Sequence, residues 1–149
     1  MSNQIVGRPM EVLLVEDSLM DARVTIEALR SGNLQHRLTL VRDGDEAVQF
    51  LRQEGRFARA PRPDLILLDL MLPKRTGLEV LAELSDNFEL KQIPVVVLTA
   101  SDDEDDKSRC TFYDVNSYIH KPVNLHKFLT VVKELKRCWR EDVILPTVD

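Results

Sequence analysis

Apolar residues in this chain gather in short continuous runs, separated by stretches in which they recur every three or four positions. Val12-Leu13-Leu14-Val15, Leu38-Thr39-Leu40-Val41, Leu65-Ile66-Leu67-Leu68, Ile93-Pro94-Val95-Val96-Val97-Leu98 and Ser117-Tyr118-Ile119-His120 predict five strands. Continuous apolar runs, without polar alternation, read as strands buried on both faces. Between them lie helical patterns. Ser18 can cap a helix carrying Ala22, Ile26 and Leu29 and closed by Gly32-Asn33. Ala47, Val48 and Leu51 mark a second helix, stopped near Gly55. A third starts at Thr76 or Gly77 and lines up Val80, Leu81 and Leu84. Ser101 and Glu104 have capping-box spacing, and Asp102, Asp103 and Asp105 suit a helix start better than a metal site. That fourth helix is weakly amphipathic, with Cys110, Phe112 and Val115 as its core candidates. Asn124 caps a fifth, striped by Leu125, Phe128, Leu129, Val132 and Leu135 and extended one turn by Trp139.

Five buried strands alternating with five helices call for an α/β fold. The expected form is a doubly wound parallel sheet with helices on both faces and right-handed crossovers. The chain has 149 residues, 44% hydrophobic and 30% charged, which suits one domain with a real core. A net charge of -5 argues against a nucleic-acid surface. Cys110 and Cys138 match no metal or redox spacing and read as reduced thiols. No signal-peptide core or membrane-length apolar run is visible, so a soluble cytoplasmic protein is expected. The basic connection over 56–63 reads as a solvated loop. His36, His120 and His126 do not cluster.

The candidate chemistry sits where the strands end. All carboxyl ends of a parallel sheet lie along one edge, the usual place for function in open α/β folds. Glu16-Asp17, Asp69, Thr99 and Lys121 terminate the first, third, fourth and fifth strands and should converge there. Taken alone, Asp69 could merely cap a loop; the other groups give it a task. Three carboxylates within about 4–5 Å repel by roughly 3–4 kcal/mol per pair at an effective dielectric near 20. Either one stays protonated or a hard divalent cation sits among them, and all-oxygen ligands favour Mg²⁺ or Mn²⁺ over Zn²⁺. Lys121 and Thr99 add a cation and a hydroxyl beside Asp69. Together they make a pocket for a tetrahedral anion next to a carboxylate nucleophile, and so point to phosphoryl transfer onto Asp69.

These elements, in order, resemble a response-regulator receiver domain over 10–138: Glu16-Asp17, Asp69-x-x-x-Pro73 with Gly77, Thr99-Ala100, and Lys121-Pro122. The long connection before Pro63 and the ending from Trp139 to Pro146 resemble the small single-domain receivers that partner cyanobacterial phytochromes. The resemblance implies the flavodoxin-like strand order 2-1-3-4-5. It further implies a phosphoprotein of a two-component phosphorelay rather than an enzyme, with residues 139–149 as an extension and no separate output domain. Asp69 would accept phosphate from a sensor histidine kinase, a phytochrome. Asp17, Asp69 and the Met71 backbone carbonyl would hold Mg²⁺, with Glu16 acting through a metal-bound water. Lys121 would pair with Asp69 and then the phosphoryl group. Thr99 would move to a phosphoryl oxygen and Tyr118 would turn inward as the aromatic switch. The Lys121–Pro122 bond would be cis.

Glu16 stands where many such receivers have Asp, and Thr76 where an acid or amide is frequent. Met71 beside the pocket cannot orient water, so slow self-hydrolysis is expected. Output would be a protein–protein contact, a homodimer, through the last helix and Val143-Ile144-Leu145; alternatively Trp139 and this tail fold back onto their own domain. The alternative function is a phosphorylation-independent pseudo-receiver, a binding module, against which the complete set of site residues argues. A haloacid-dehalogenase-type phosphatase would need an Asp where Met71 stands. A flavodoxin-like carrier would suffer repulsion of its flavin phosphate by Glu16-Asp17.

Overall fold

The computed structural model describes residues 8–32, 35–100 and 104–135. In chain order the elements are β1 (Met10–Val15), α1 (Leu19–Ser31), β2 (His36–Val41), α2 (Gly44–Arg52), β3 (Leu65–Leu68), α3 (Gly77–Ser85), β4 (Val95–Thr99), α4 (Glu104–Phe112), β5 (Ser117–His120) and α5 (Leu125–Leu135). Short 3-10 turns at Gly55–Phe57 and Leu90–Gln92 precede β3 and β4. All strand pairs are parallel, in the order β2-β1-β3-β4-β5. This is the flavodoxin-like arrangement expected.

Successive strand residues point to opposite faces, so each continuous apolar run feeds two cores. Leu13, Val15, Ile66, Leu68, Val95 and Val97 pack with Val48, Leu51, Val80, Leu81 and Leu84 from α2 and α3. Their immediate neighbours Val12, Leu14, Leu65, Leu67, Val96 and Leu98 pack with Ala22, Leu29, Phe128, Val132 and Leu135 from α1 and α5.

Several local expectations need correction. Full burial holds for β3 and β4, but β2 and β5 at the sheet edges are only partly covered, each having a strand on one side alone. β4 starts at Val95, not Ile93, because Pro94 has no N–H to donate; its carbonyl still accepts from Ile66 at 3.0 Å. α2 ends at Arg52, closed by Gln53 in the left-handed region at φ 56°, and Gly55 opens the following turn. In α4 only Cys110 reaches the core; Phe112 is 79% exposed, and Val115 lies beyond the helix, partly buried. Nothing in that helix's weak apolar pattern orients it. Cys110 is a free thiol, and burial, followed by the charge of Asp106, pushes its pKa up. Val131 joins the buried stripe of α5.

The caps form as expected. Ser18 accepts from the Asp21 N–H at 3.2 Å, and Asn124 from that of Lys127 at 2.8 Å. Thr76 and Glu79 make a reciprocal capping box, each side chain accepting from the other's backbone N–H at 3.2 and 3.1 Å. Thr76→Ala is therefore expected to destabilise the fold by about 1 kcal/mol, seen as a lower urea midpoint at unchanged slope. The Ser101 cap with Asp102 and Asp103, Asn33, Cys138, Trp139 and the tail containing Val143-Ile144-Leu145 lie outside the described residues.

Candidate functional site

Backbone pairing sets the site. Leu68 of β3 lies beside Val15 of β1, and Asp69 donates its N–H to the Val15 carbonyl at 3.0 Å. Glu16 likewise donates to Val41 at 3.0 Å, and Lys121 to Thr99 at 2.8 Å. Residues from four parts of the sequence thus leave the sheet along one edge. Glu16 is 1% exposed and Asp69 6%, while Thr99 is fully buried. The Lys121–Pro122 bond is cis.

Lys121 is the hub. Its ammonium donates to Glu16, to Asp69 Oδ2 at 2.9 Å and to Asp21 Oδ2 at 2.9 Å. Asp69 Oδ1 accepts from the Met71 N–H at 3.1 Å, and Glu16 Oε2 from the Ser18 N–H at 3.2 Å. Burial alone would lower the lysine pKa, but the bonds to Glu16, Asp21 and Asp69 outweigh it and hold the group above its ordinary value. The Glu16 carboxyl is pushed up to about 7, first by burial and then by the hydrogen bond it shares with Asp69, against the pull of Lys121.

The expected convergence of three carboxylates is partial. Glu16 and Asp69 meet on Lys121, but Asp17 is exposed and turned to Arg42, 3.9 Å away. The Arg42 guanidinium also donates to the Asp17 backbone carbonyl at 3.1 and 2.6 Å. Among the described residues no group of three His, Cys, Asp or Glu stands ready to hold a metal ion. The donor chemistry nevertheless suits one. Glu16 and Asp69 are buried side by side on one ammonium, and the available ligands are oxygens. The Asp17–Arg42 pair is exposed, and giving up such a pair costs roughly 0–1 kcal/mol.

Tyr118 is half-buried on β5 against the α2–α4 core, with the Lys107 ammonium 5.8 Å from its ring. Met71 is 73% exposed. His120 and His126 are exposed; the His120 ring nitrogen lies 3.1 Å from the Ala100 carbonyl. The sequence reading overlooked two residues, Asp21 and Arg42. The available signal for Asp21 was its place in the first turn after the Ser18 cap, which faces the same sheet edge. Arg42 was marked by closing β2, the neighbour of β1.

Comparison with known proteins agrees with this geometry. The response regulator receiver domain family matches residues 12–133. The response regulator Rcp1 of Synechocystis sp. (strain ATCC 27184 / PCC 6803 / Kazusa) is 47% identical over 138 residues, covering 93% of this chain and 94% of that protein. Two solved structures are also similar, both at 47% identity over 93% of this chain. The Mn(2+)-bound form of Rcp1 has a TM-score of 0.75 and is covered entirely, 100%. The phosphorylated cyanobacterial phytochrome response regulator RcpA has a TM-score of 0.76 and is 99% covered.

Proposed function

The chain belongs to the response regulator receiver domain family, and from that premise we propose that it accepts a phosphoryl group on Asp69 from a phytochrome-type sensor histidine kinase. The observation that carries this reading is the Asp69 carboxylate, buried at the end of β3 and held by Lys121 on one oxygen and the Met71 N–H on the other. An Asp69 oxygen forms a bond to phosphorus as the P–N bond to the donor imidazole breaks, the imidazole nitrogen keeping the electron pair. Lys121 balances charge on the phosphoryl oxygens, and the Thr99 hydroxyl at the end of β4 donates to one of them. Tyr118 turns inward behind Thr99 and carries the change to the surface of α4, β5 and α5.

Receiver domains bind a divalent metal. Here Asp17, Asp69 and the Met71 carbonyl would hold Mg²⁺, with Glu16 acting through a bound water, and the ion would supply positive charge to the phosphoryl oxygens. Met71 at the mouth offers a thioether that cannot align water, so the phosphoryl group is held for long periods. The phytochrome assignment is supported by the identity with RcpA. We assign the receiver domain to residues 10–138 and the extension to 139–149, a division supported by the family match over residues 12–133. No described helix is long and apolar enough to cross a membrane. Output is a protein–protein contact, with a second copy of this chain as the partner for the exposed side of α5.

Incubation with acetyl phosphate and Mg²⁺, followed by intact mass, tests the central claim. Wild type should gain one phosphoryl group and Asp69→Asn none. A folded wild type that gains nothing would support the pseudo-receiver binding module instead, and a variant that gains as much would place the phosphoryl group on a residue other than Asp69.

A further inference from the structure

Val15 and Val41 lie side by side at the ends of β1 and β2, which places Arg42 beside the segment that leaves β1. Its guanidinium holds one residue in two ways. Nε and Nη2 donate to the Asp17 carbonyl at 3.1 and 2.6 Å, and Nη2 stands 3.9 Å from the Asp17 carboxylate. The bonds to the carbonyl anchor the planar fork, so meeting the carboxylate costs little further side-chain freedom. Glu46, which accepts from the Arg42 backbone N–H at 3.0 Å, has its own guanidinium in Arg56. The backbone on either side of Asp17 is pinned without Arg42: Glu16 donates its N–H to Val41 at 3.0 Å, and Ser18 donates its own to the Glu16 carboxylate at 3.2 Å. What Arg42 governs is the direction of the Asp17 carboxylate.

We propose that Arg42 is a resident counter-ion for Asp17, competing with the divalent cation for that carboxylate and so lowering the affinity of the site. The inference rests on the reading of Asp17, Asp69 and the Met71 carbonyl as the groups that hold the ion. In the sheet β1 lies between β2 and β3, so Arg42 and Asp69 draw the Asp17 carboxylate to opposite sides. It cannot lie against the guanidinium and share an ion with Asp69 at once, and each binding event breaks the pair. The Arg42 and Asp17 side chains are 44% and 54% exposed, so water takes over both at small cost. Arg42 therefore tunes the affinity and does not block the site.

The test titrates Mn²⁺ alone into wild type, Arg42→Gln and Arg42→Ala, following the unbound ion by its electron paramagnetic resonance signal. Lys74→Gln is the control for charge: Lys74 lies in the connection after Asp69 and pairs with Asp43, 3.7 Å away, not with Asp17. Both Arg42 variants should bind Mn²⁺ about two- to fivefold more tightly than wild type, and Lys74→Gln should bind as wild type does. A gain in affinity is a readout that mere loosening of the structure would not produce. Unchanged or weaker binding in either Arg42 variant, shown to be folded by circular dichroism, overturns the proposal. So does an equal gain in Lys74→Gln, which marks general repulsion between the ion and surface cations. A wild type that binds no Mn²⁺ at millimolar concentration overturns the metal-site reading itself, and the proposal with it.

Discussion

Lys121→Met is expected to destabilise the metal-free protein by about 3–5 kcal/mol at neutral pH, the range for removing one partner of a buried ion pair. The substitution keeps most of the side-chain volume and removes the charge, leaving Glu16 and Asp69 facing each other without compensation. Asp21 contributes little to this loss because it is solvated. The sign of the pH dependence follows from Glu16, whose carboxyl titrates near 7 in the fold against 4.5 for the ordinary group. Between those values the folded state holds a proton that the unfolded chain has released, so stability falls as pH rises through the window. The lysine, raised above its ordinary value, stays charged throughout. In chelator, the wild type should therefore lose stability from pH 4.5 to 7. The variant should lose more and over a higher range, since without the ammonium Glu16 is pushed up further. Added Mg²⁺ should recover part of the deficit in both proteins, by about 2.7 kcal/mol at a hundredfold excess over its Kd. Urea unfolding across pH, with chelator or Mg²⁺, measures all of this. A variant as stable as wild type at pH 7 in chelator would show that the lysine does not compensate the acids.

Gly77→Ala is expected to cost about 3 kcal/mol or more, since added volume has nowhere to go in a packed site. A Cβ at Gly77 would stand 2.4 Å from the Asp69 carbonyl oxygen and 2.6 Å from the Leu70 Cα. Both are backbone atoms, and no side-chain rotation relieves the clash. Gly77 also donates its N–H to the Leu70 carbonyl at 3.0 Å, so the start of α3 is strapped to the segment that carries the nucleophile. The segment must move, and the Asp69 carboxylate moves with it. Loading from acetyl phosphate should fall by about tenfold or more in whatever fraction remains folded, because small misplacements of a reacting group are costly. Thermal unfolding and intact mass give the two readouts. Wild-type loading with reduced stability would separate the packing role of Gly77 from the placement of Asp69.

The sheet was legible because burial on both faces leaves a strong trace: four consecutive branched residues such as Leu65 to Leu68 have few other homes. The edge strands were harder. Leu38 and Leu40 are as apolar as central residues, yet they pack only partly, and an apolar letter does not say which sheet edge it occupies. α4 failed for the opposite reason: Phe112 suggests a core position, but too few apolar partners repeat at helical spacing to fix which side faces inward. At the site, order along the chain identified every strand end, and topology brought Glu16, Asp69, Thr99 and Lys121 to one edge. It did not give side-chain directions. Asp17 turns to Arg42, a residue 25 positions away whose relevance depends on β2 lying beside β1. Asp21 was hidden because an acid in a first helical turn already has a sufficient local reason to be there.

The three bonds of Lys121 span 105, 100 and 52 positions of sequence. During synthesis the acids of β1, α1 and β3 therefore emerge long before the cation that reconciles them. A nascent chain ending at β4 carries the full repulsion and none of its remedy. Such distant closures come late and slowly in folding. The arrival of β5 thus completes the sheet and discharges the pocket in the same event, so that the part of the molecule that receives the signal is also the part that waits for the last strand.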